Sequence, residues 1–190
     1  MRCFVAIDLP SEVRAALARA QAGLRAAAPE ADVRWVDPAA FHLTLKFLGT
    51  VQDARVPEVS AAVEEVAAAV AEISITAAGL GAFPSANRAR VVWAGLADGV
   101  PALADLAGAI DQRLAVLGFA PEMRAFRGHL TIGRVRTPRG ARPLAAALAA
   151  GARAFGGWTA SEVALYESRL RPTGAVYTAV SRHPLRGCQR

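Results

Sequence analysis

The sequence has little cysteine, a single lysine and no long apolar run. Cys3 and Cys188 lie near opposite ends of 190 residues. Two thiols without a secretory leader fit a reducing cytoplasm better than a disulfide framework, and two cysteines fall short of a structural zinc site. The longest stretch free of Asp, Glu, Lys and Arg covers 15 residues, Ile73 to Asn87, and is broken by Gly79, Gly81 and Pro84. A spanning helix needs about 20 apolar residues, so the 54% hydrophobic content, much of it Ala and Leu, points to a core and not to a membrane. The opening "MRCFVAIDLP" is too short an apolar run for a signal peptide and is cut by Asp8. Only three histidines occur, which makes a His-rich metal site hard to assemble; neither a metal nor a cofactor is expected.

Lys46 is the one lysine, so the net charge of +6 comes from arginine. A basic chain suggests a polyanionic partner. Six arginines fall between Arg124 and Arg142 with no acidic residue among them, and the run encloses His129. That clustering favours a phosphate-binding face over a merely solvated one.

Periodicity alternates strands and helices. Strands are expected at 2–9, 33–36, 41–49 and 128–135, with a hairpin over 72–96 and a final strand pair at 158–170 and 175–180. Helices are expected over 10–27, with Ser11 as the cap and Glu12 in the first turn, over 56–71, over 101–118 between Pro101 and Gly118, and near 143–155. Laid on itself at an offset of 87 residues, "FVAIDL" falls on "VVWAGL" and His42 falls on His129. Each half reads as strand, helix, His-bearing strand, helix, strand. The repeat is too long for a solenoid unit, and no linker separates the halves. Two related lobes forming one unit over 1–190 are expected.

The His-bearing strands are "FHLTLKFLG" at 41–49 and "GHLTIGRV" at 128–135. Residues i and i+2 of a strand share a face, roughly 6.6 Å apart. His42 and Thr44 therefore share one face against Leu43 and Leu45, as His129 and Thr131 do against Leu130 and Ile132. Imidazoles titrate near neutral pH, so two of them flanking a phosphorus can supply the base and the acid of one displacement. Threonine hydroxyls can donate to the non-bridging oxygens. A lone histidine in an apolar strand is more often structural, but two in the same four-residue context at equivalent positions are poorly explained by packing. Lys46 continues the His42 face on strict alternation. Arg134 falls on the opposite nominal face from His129 unless a twist or bulge intervenes. Phe47, Phe83 and Phe126 could stack on a base, although aromatic residues in apolar strands usually belong to the core. Trp35 and Trp93 read as core or groove wall, and Tyr166, Ser168 and Tyr177 as strand residues without a role.

"HLTLKFLG" and "FRGHLTIGRV", with the flanks "RCFVAIDLP", "GLGAFPSANRARVVWAGL" and "LYESRLRPTGAVYTAV", resemble the paired His-x-Thr-x signatures of the 2H phosphoesterase superfamily. More narrowly, they resemble the RNA 2′,3′-cyclic phosphodiesterases, also called 2′-5′ RNA ligases. Gly128 departs from the proline often found there. The resemblance implies an α+β fold, bilobal and pseudo-two-fold, with two antiparallel sheets lining a central groove and helices outside. It implies hydrolysis of RNA 2′,3′-cyclic phosphate ends to 2′-phosphates, and in reverse the joining of such an end to a 5′-hydroxyl. Carried over, His42 is the proton donor, His129 the proton acceptor, and Thr44 and Thr131 hold the phosphate. Further substrate contacts are expected at Lys46, Arg134, Phe126 and Phe47. The expected partner is RNA, met by a cytoplasmic monomer without membrane attachment. Two alternatives share the scaffold: a binding module without chemistry, and an enzyme for small cyclic nucleotides. Intact His and Thr in both motifs argue against the first, and the basic charge leans away from the second.

Overall fold

A computed structural model describes residues 1–151, 154–171 and 174–187. The chain runs β1 (Arg2–Asp8), α1 (Ser11–Ala27), β2 (Val33–Trp35), β3 (His42–Thr50), α2 (Val56–Ala69), β4 (Ile73–Phe83), β5 (Val91–Asp98), α3 (Val100–Val116), β6 (Leu130–Val135), α4 (Ala141–Ala150), β7 (Ala154–Ala160), β8 (Glu162–Arg171) and β9 (Gly174–Pro184). These strands pair antiparallel in the order β7-β4-β5-β6-β3-β1-β8-β9, with β2 added on β6. The α+β class implied by the resemblance holds. The expected two sheets are continuous, joined where Leu43 meets Leu130 across β3 and β6.

That central pair marks a pseudo-dyad, because its two members are themselves 87 residues apart. The registers on either side repeat at the same offset. Ile7 faces Leu43, Ala6 faces Thr44, Val5 faces Lys46 and Phe4 faces Phe47. On the other side Ala94 faces Leu130, Trp93 faces Thr131, Val92 faces Gly133 and Val91 faces Arg134. Each series skips one residue, Leu45 in β3 and Ile132 in β6, so each motif strand carries a β-bulge at the equivalent place. A bulge inserts one residue against none on the partner and shifts the alternation of faces by one.

The helices cover one side of the sheet. α1 buries Val13, Leu17, Gln21 and Leu24, a stripe at helical spacing. α3 buries Leu103, Leu106, Ala107, Ile110 and Leu114. Helix and strand residues from both halves form one hydrophobic cluster. Gln21 is the polar member of the α1 stripe, and its Nε2 donates to Val36 O at 2.7 Å and to Ile132 O at 2.8 Å. It thereby adds a second donor to the buried carbonyl of the β6 bulge residue, which also accepts from Val36 N at 3.0 Å.

Three details depart from the sequence reading. Ser11 does not cap α1: Pro10 holds that position, and the Ser11 hydroxyl donates to Glu12 instead. The strand expected over 158–170 breaks at Ser161 into β7 and β8. β7 pairs with β4 near one end of the sheet and β8 with β1 near the other, so a single connecting residue must bridge them. Two residue steps span only about 7 Å, so the sheet is curled until its two ends approach. The last strand, expected over 175–180, runs on to Pro184 and takes in His183, which is buried with its Nε2 2.9 Å from Ser181 Oγ and 3.3 Å from Ser60 Oγ. Cys3 is buried in the cluster, while Cys188 lies outside the described residues. Among the described residues no helix is long and apolar enough to cross a membrane.

Candidate active site

The face of the sheet away from the helices carries both motifs. His42 opens β3 behind a 3-10 turn, Pro38–Ala40, which Asp37 starts by accepting from Ala39 N at 2.9 Å. His129 stands one residue before β6, closer to the loop than the alternation suggested. The two rings are held alike. His42 Nδ1 lies 2.8 Å from Ala40 O, and His129 Nδ1 lies 2.7 Å from Arg127 O. A carbonyl oxygen only accepts, so each Nδ1 carries the proton and each Nε2 is left for chemistry. Thr44 and Thr131 are half-buried beside them, and among the described residues neither hydroxyl is taken up by a protein partner.

Aromatic walls set the rings. Phe4 lies 4.7 Å from the His42 ring, and Tyr177 meets it edge-on at 5.0 Å. Phe83 meets His129 edge-on at the same distance, with the Arg127 guanidinium 4.8 Å from the Phe83 centroid. Burial lowers the pKa of both imidazoles below the ordinary histidine value, and the Nδ1 hydrogen bonds partly oppose it. The charges around them differ. Asp8, which faces His42 in the β1–β3 register, favours its protonated form, against Arg14 and Arg134. His129 meets Arg134 and Arg127, both favouring the neutral ring.

The bulges relocate three of the expected contacts, Lys46, Phe47 and Arg134. Lys46 does not share the His42 face: the bulge at Leu45 turns it to the helix side opposite Val5. There it is buried, with Nζ 2.5 Å from Asp111 of α3 and 3.0 Å from Ala120 O. Asp111 also accepts from Glu122 N at 3.1 Å. Lys46 thus anchors the segment leading to His129 and is not a free cation for substrate. The same bulge brings Phe47 to the His42 face, where it is 60% exposed and 6.0 Å from the Phe4 ring. The bulge at Ile132 moves Arg134 onto the His129 and Thr131 face, level with Trp93 and Val91. Phe126 is half-buried at the mouth of a cleft of about 960 Å³ that also reaches Thr44, Phe47 and His129. Trp93 stands on the motif face, its ring where a side chain on Gly81 would be. Trp35 packs over Gly133.

Several contributors carried no signal in the sequence. Arg14 of α1 donates to Pro38 O, Ala39 O, Phe41 O and Leu9 O at 2.8 to 3.2 Å, clamping the turn that presents His42. Asp8 accepts from the Tyr166 hydroxyl at 2.6 Å and from Arg182 at 2.8 Å, and Arg182 also holds Glu162. Burial, then the Asp8 contact, push the Tyr166 pKa up to about 12. Of the tyrosines read as plain strand residues, Tyr177 borders His42 directly, and Tyr166 stands behind it against Asp8 and Phe4.

A profile of the LigT-like phosphoesterases matches residues 7–93 and 96–177, in two successive segments. An RNA 2′,3′-cyclic phosphodiesterase of Methanothermobacter thermautotrophicus is 34% identical over 179 residues, covering 94% of this chain and 95% of that protein. One from Methanocaldococcus jannaschii is 30% identical over 181 residues, covering 95% and 98%. Among solved structures, a Thermus thermophilus protein superposes with a TM-score of 0.80 at 30% identity, over 98% of this chain and 99% of that one. E. coli LigT in complex with 3′-AMP superposes at 0.75 and 28% identity, over 97% of both.

Proposed function

The chain belongs to the LigT-like phosphoesterase family, and from that membership we propose that it hydrolyses RNA 2′,3′-cyclic phosphate ends to 2′-phosphates with His42 and His129 as its acid and base. The observation that carries the reading is the pair of imidazoles on motif strands related by the pseudo-dyad, each with Nδ1 tied to backbone and Nε2 without a partner among the described residues. Relatives named RNA 2′,3′-cyclic phosphodiesterase, similar over nearly the whole chain, support the reaction class.

In the reaction, His129 Nε2 takes a proton from water, whose oxygen attacks phosphorus. The P–O3′ bond breaks in line, and His42 Nε2 gives its proton to O3′. Thr44 and Thr131 donate to the non-bridging oxygens as their charge redistributes, and Arg134 adds a positive charge on the same face. Asp8 beside His42, and Arg127 beside His129, support this division of roles. No step calls for a metal. The enzyme acts as a cytoplasmic monomer on RNA ends.

A defined oligoribonucleotide with a 2′,3′-cyclic end tests the reading by product analysis. Wild type should release a 2′-phosphate in EDTA as in its absence. His42→Ala and His129→Ala should each lose more than about 10²-fold in turnover. Near wild-type turnover in both variants, or a 3′-phosphate product, would refute the assignment.

A further inference from the structure

Resting on the hydrolase reading given above, we propose that Arg34 of β2 binds the first internucleotide phosphate of a cyclic-ended RNA, on the 5′ side of the nucleotide that reacts. It thereby sets a preference for polynucleotide over nucleoside 2′,3′-cyclic phosphates. Register puts the side chain in place. Arg34 pairs directly with Arg134 across β2 and β6, flanked by Val33 opposite Val135 and Trp35 opposite Gly133. Val33 and Trp35 crowd Gly133 on the helix side. Arg34 between them therefore turns to the motif face, where the bulge at Ile132 also sends Arg134.

Like charges directly opposite each other on a sheet repel and cost stability. Both arginines are exposed, and neither forms an ion pair among the described residues. An anion is what this pair lacks. A cyclic phosphate carries only one negative charge, and Thr44, Thr131 and Arg134 already serve it. Arg134 acts on both the His42 and the His129 rings, whereas Arg34 is absent from the charges that act on either. Arg34 thus stands a step further from the reacting phosphorus. Its guanidinium reaches the start of β9, with Nη2 3.8 Å from where a Cβ on Gly174 would stand.

β9 gives the groove a direction. From Gly174 it runs past Tyr177, which meets the His42 ring edge-on, to Arg182, which holds Asp8 and Glu162. With His42 giving its proton to O3′, the reacting ribose lies along this wall, among Phe4, Tyr177 and exposed Phe47. An RNA chain leaving that ribose in the 5′ direction must set its next phosphate toward one end of the wall or the other. At the Arg182 end two carboxylates share one guanidinium and repel it. At the Gly174 end Arg34 offers a charge-assisted hydrogen bond, and the phosphate relieves the repulsion between Arg34 and Arg134. A nucleoside 2′,3′-cyclic phosphate has nothing to place there.

Three substrates test this on wild type and Arg34→Gln: a ribodinucleotide with a 2′,3′-cyclic end, the same dinucleotide with a neutral methylphosphonate linkage, and a nucleoside 2′,3′-cyclic phosphate. In wild type the KM should be about tenfold lower for the natural linkage than for the neutral one, the low end for a charge-assisted hydrogen bond because the groove is open to solvent. In Arg34→Gln the KM for the natural dinucleotide should rise to that of the neutral one. Its salt slope should fall by roughly 0.7, for one lost phosphate contact to a single strand. The KM values for the other two substrates should move by no more than about twofold, which also shows that the variant folds. An equal rise for all three would assign Arg34 to the reacting phosphate or to the fold and overturn the proposal. An unchanged KM for the natural dinucleotide in the variant would overturn it too. Wild type indifferent to the charge of the linkage refutes the second phosphate contact and leaves the hydrolase reading standing. Wild type that hydrolyses none of the three refutes both.

Discussion

Two histidines with the same context and the same backbone tether still differ, and the difference lies one strand away. Asp8 reaches the His42 side of the groove because β1 pairs with β3, and Tyr166 and Arg182 fix its carboxylate. Burial lowers both imidazoles, so both limbs of the bell-shaped profile of kcat/KM should fall below the ordinary histidine value near 6.5. The charges facing His42 are Asp8, Arg14 and Arg134. Asp8 raises the His42 pKa, so Asp8→Asn must lower it. If His42 is the acid, the alkaline limb moves to lower pH while the acid limb, set by His129, stays in place. Movement of the acid limb alone would reverse the roles. A uniform drop in rate without either shift would mean that Asp8 is only structural.

At the scale of strands, the matched bulges are what make the site. Without the skip at Leu45, Lys46 would enter the groove and Phe47 would leave it. Without the skip at Ile132, Arg134 would point at the helices. His42, Thr44, His129 and Thr131 were legible because they precede the bulges, where alternation still holds. Lys46 was misplaced because a bulge depends on the partner strand and on what waits behind it, here Asp111 of α3. Gly133 takes the equivalent place in the second half, where Val33 and Trp35 leave no room for a side chain: an added Cβ would sit 2.8 Å from Val33. Lys46→Met leaves Asp111, 18% exposed, without its cation. It should cost about 2–4 kcal/mol in urea unfolding, at or below the range for a broken buried pair because Glu122 N still binds the carboxylate. A change below about 0.5 kcal/mol would place the pair among inconsequential surface bridges.

Over the whole molecule, the two repeats share their helices. α1, from the first repeat, packs on β7 and α4 and reaches β6 through Gln21. α3, from the second, packs on β3 and α2. Neither half keeps its own cover, and one cluster contains both. We therefore propose that the chain unfolds as a single unit. Trp35, Trp93 and Trp158 lie in β2, β5 and β7, all on one side of the dyad, so tryptophan fluorescence reports that side and far-UV circular dichroism reports both. The two probes should give one coincident urea transition; separated midpoints would establish independent lobes.

The amino-acid sequence by itself determined the paired His-x-Thr strands, the 87-residue offset, the order of helices and most strands, and the basic character of the region around His129. Those features are local or periodic, and short-range alternation encodes them. The tertiary structure alone decided which residues beyond Thr44 and Thr131 face the groove, how β7 and β8 divide at Ser161, and which neighbours make one imidazole unlike the other. Asp8, Arg14 and Arg182 come from strands and a helix distant in sequence, and their positions follow from pairing register and helix packing, which no single stretch of sequence contains.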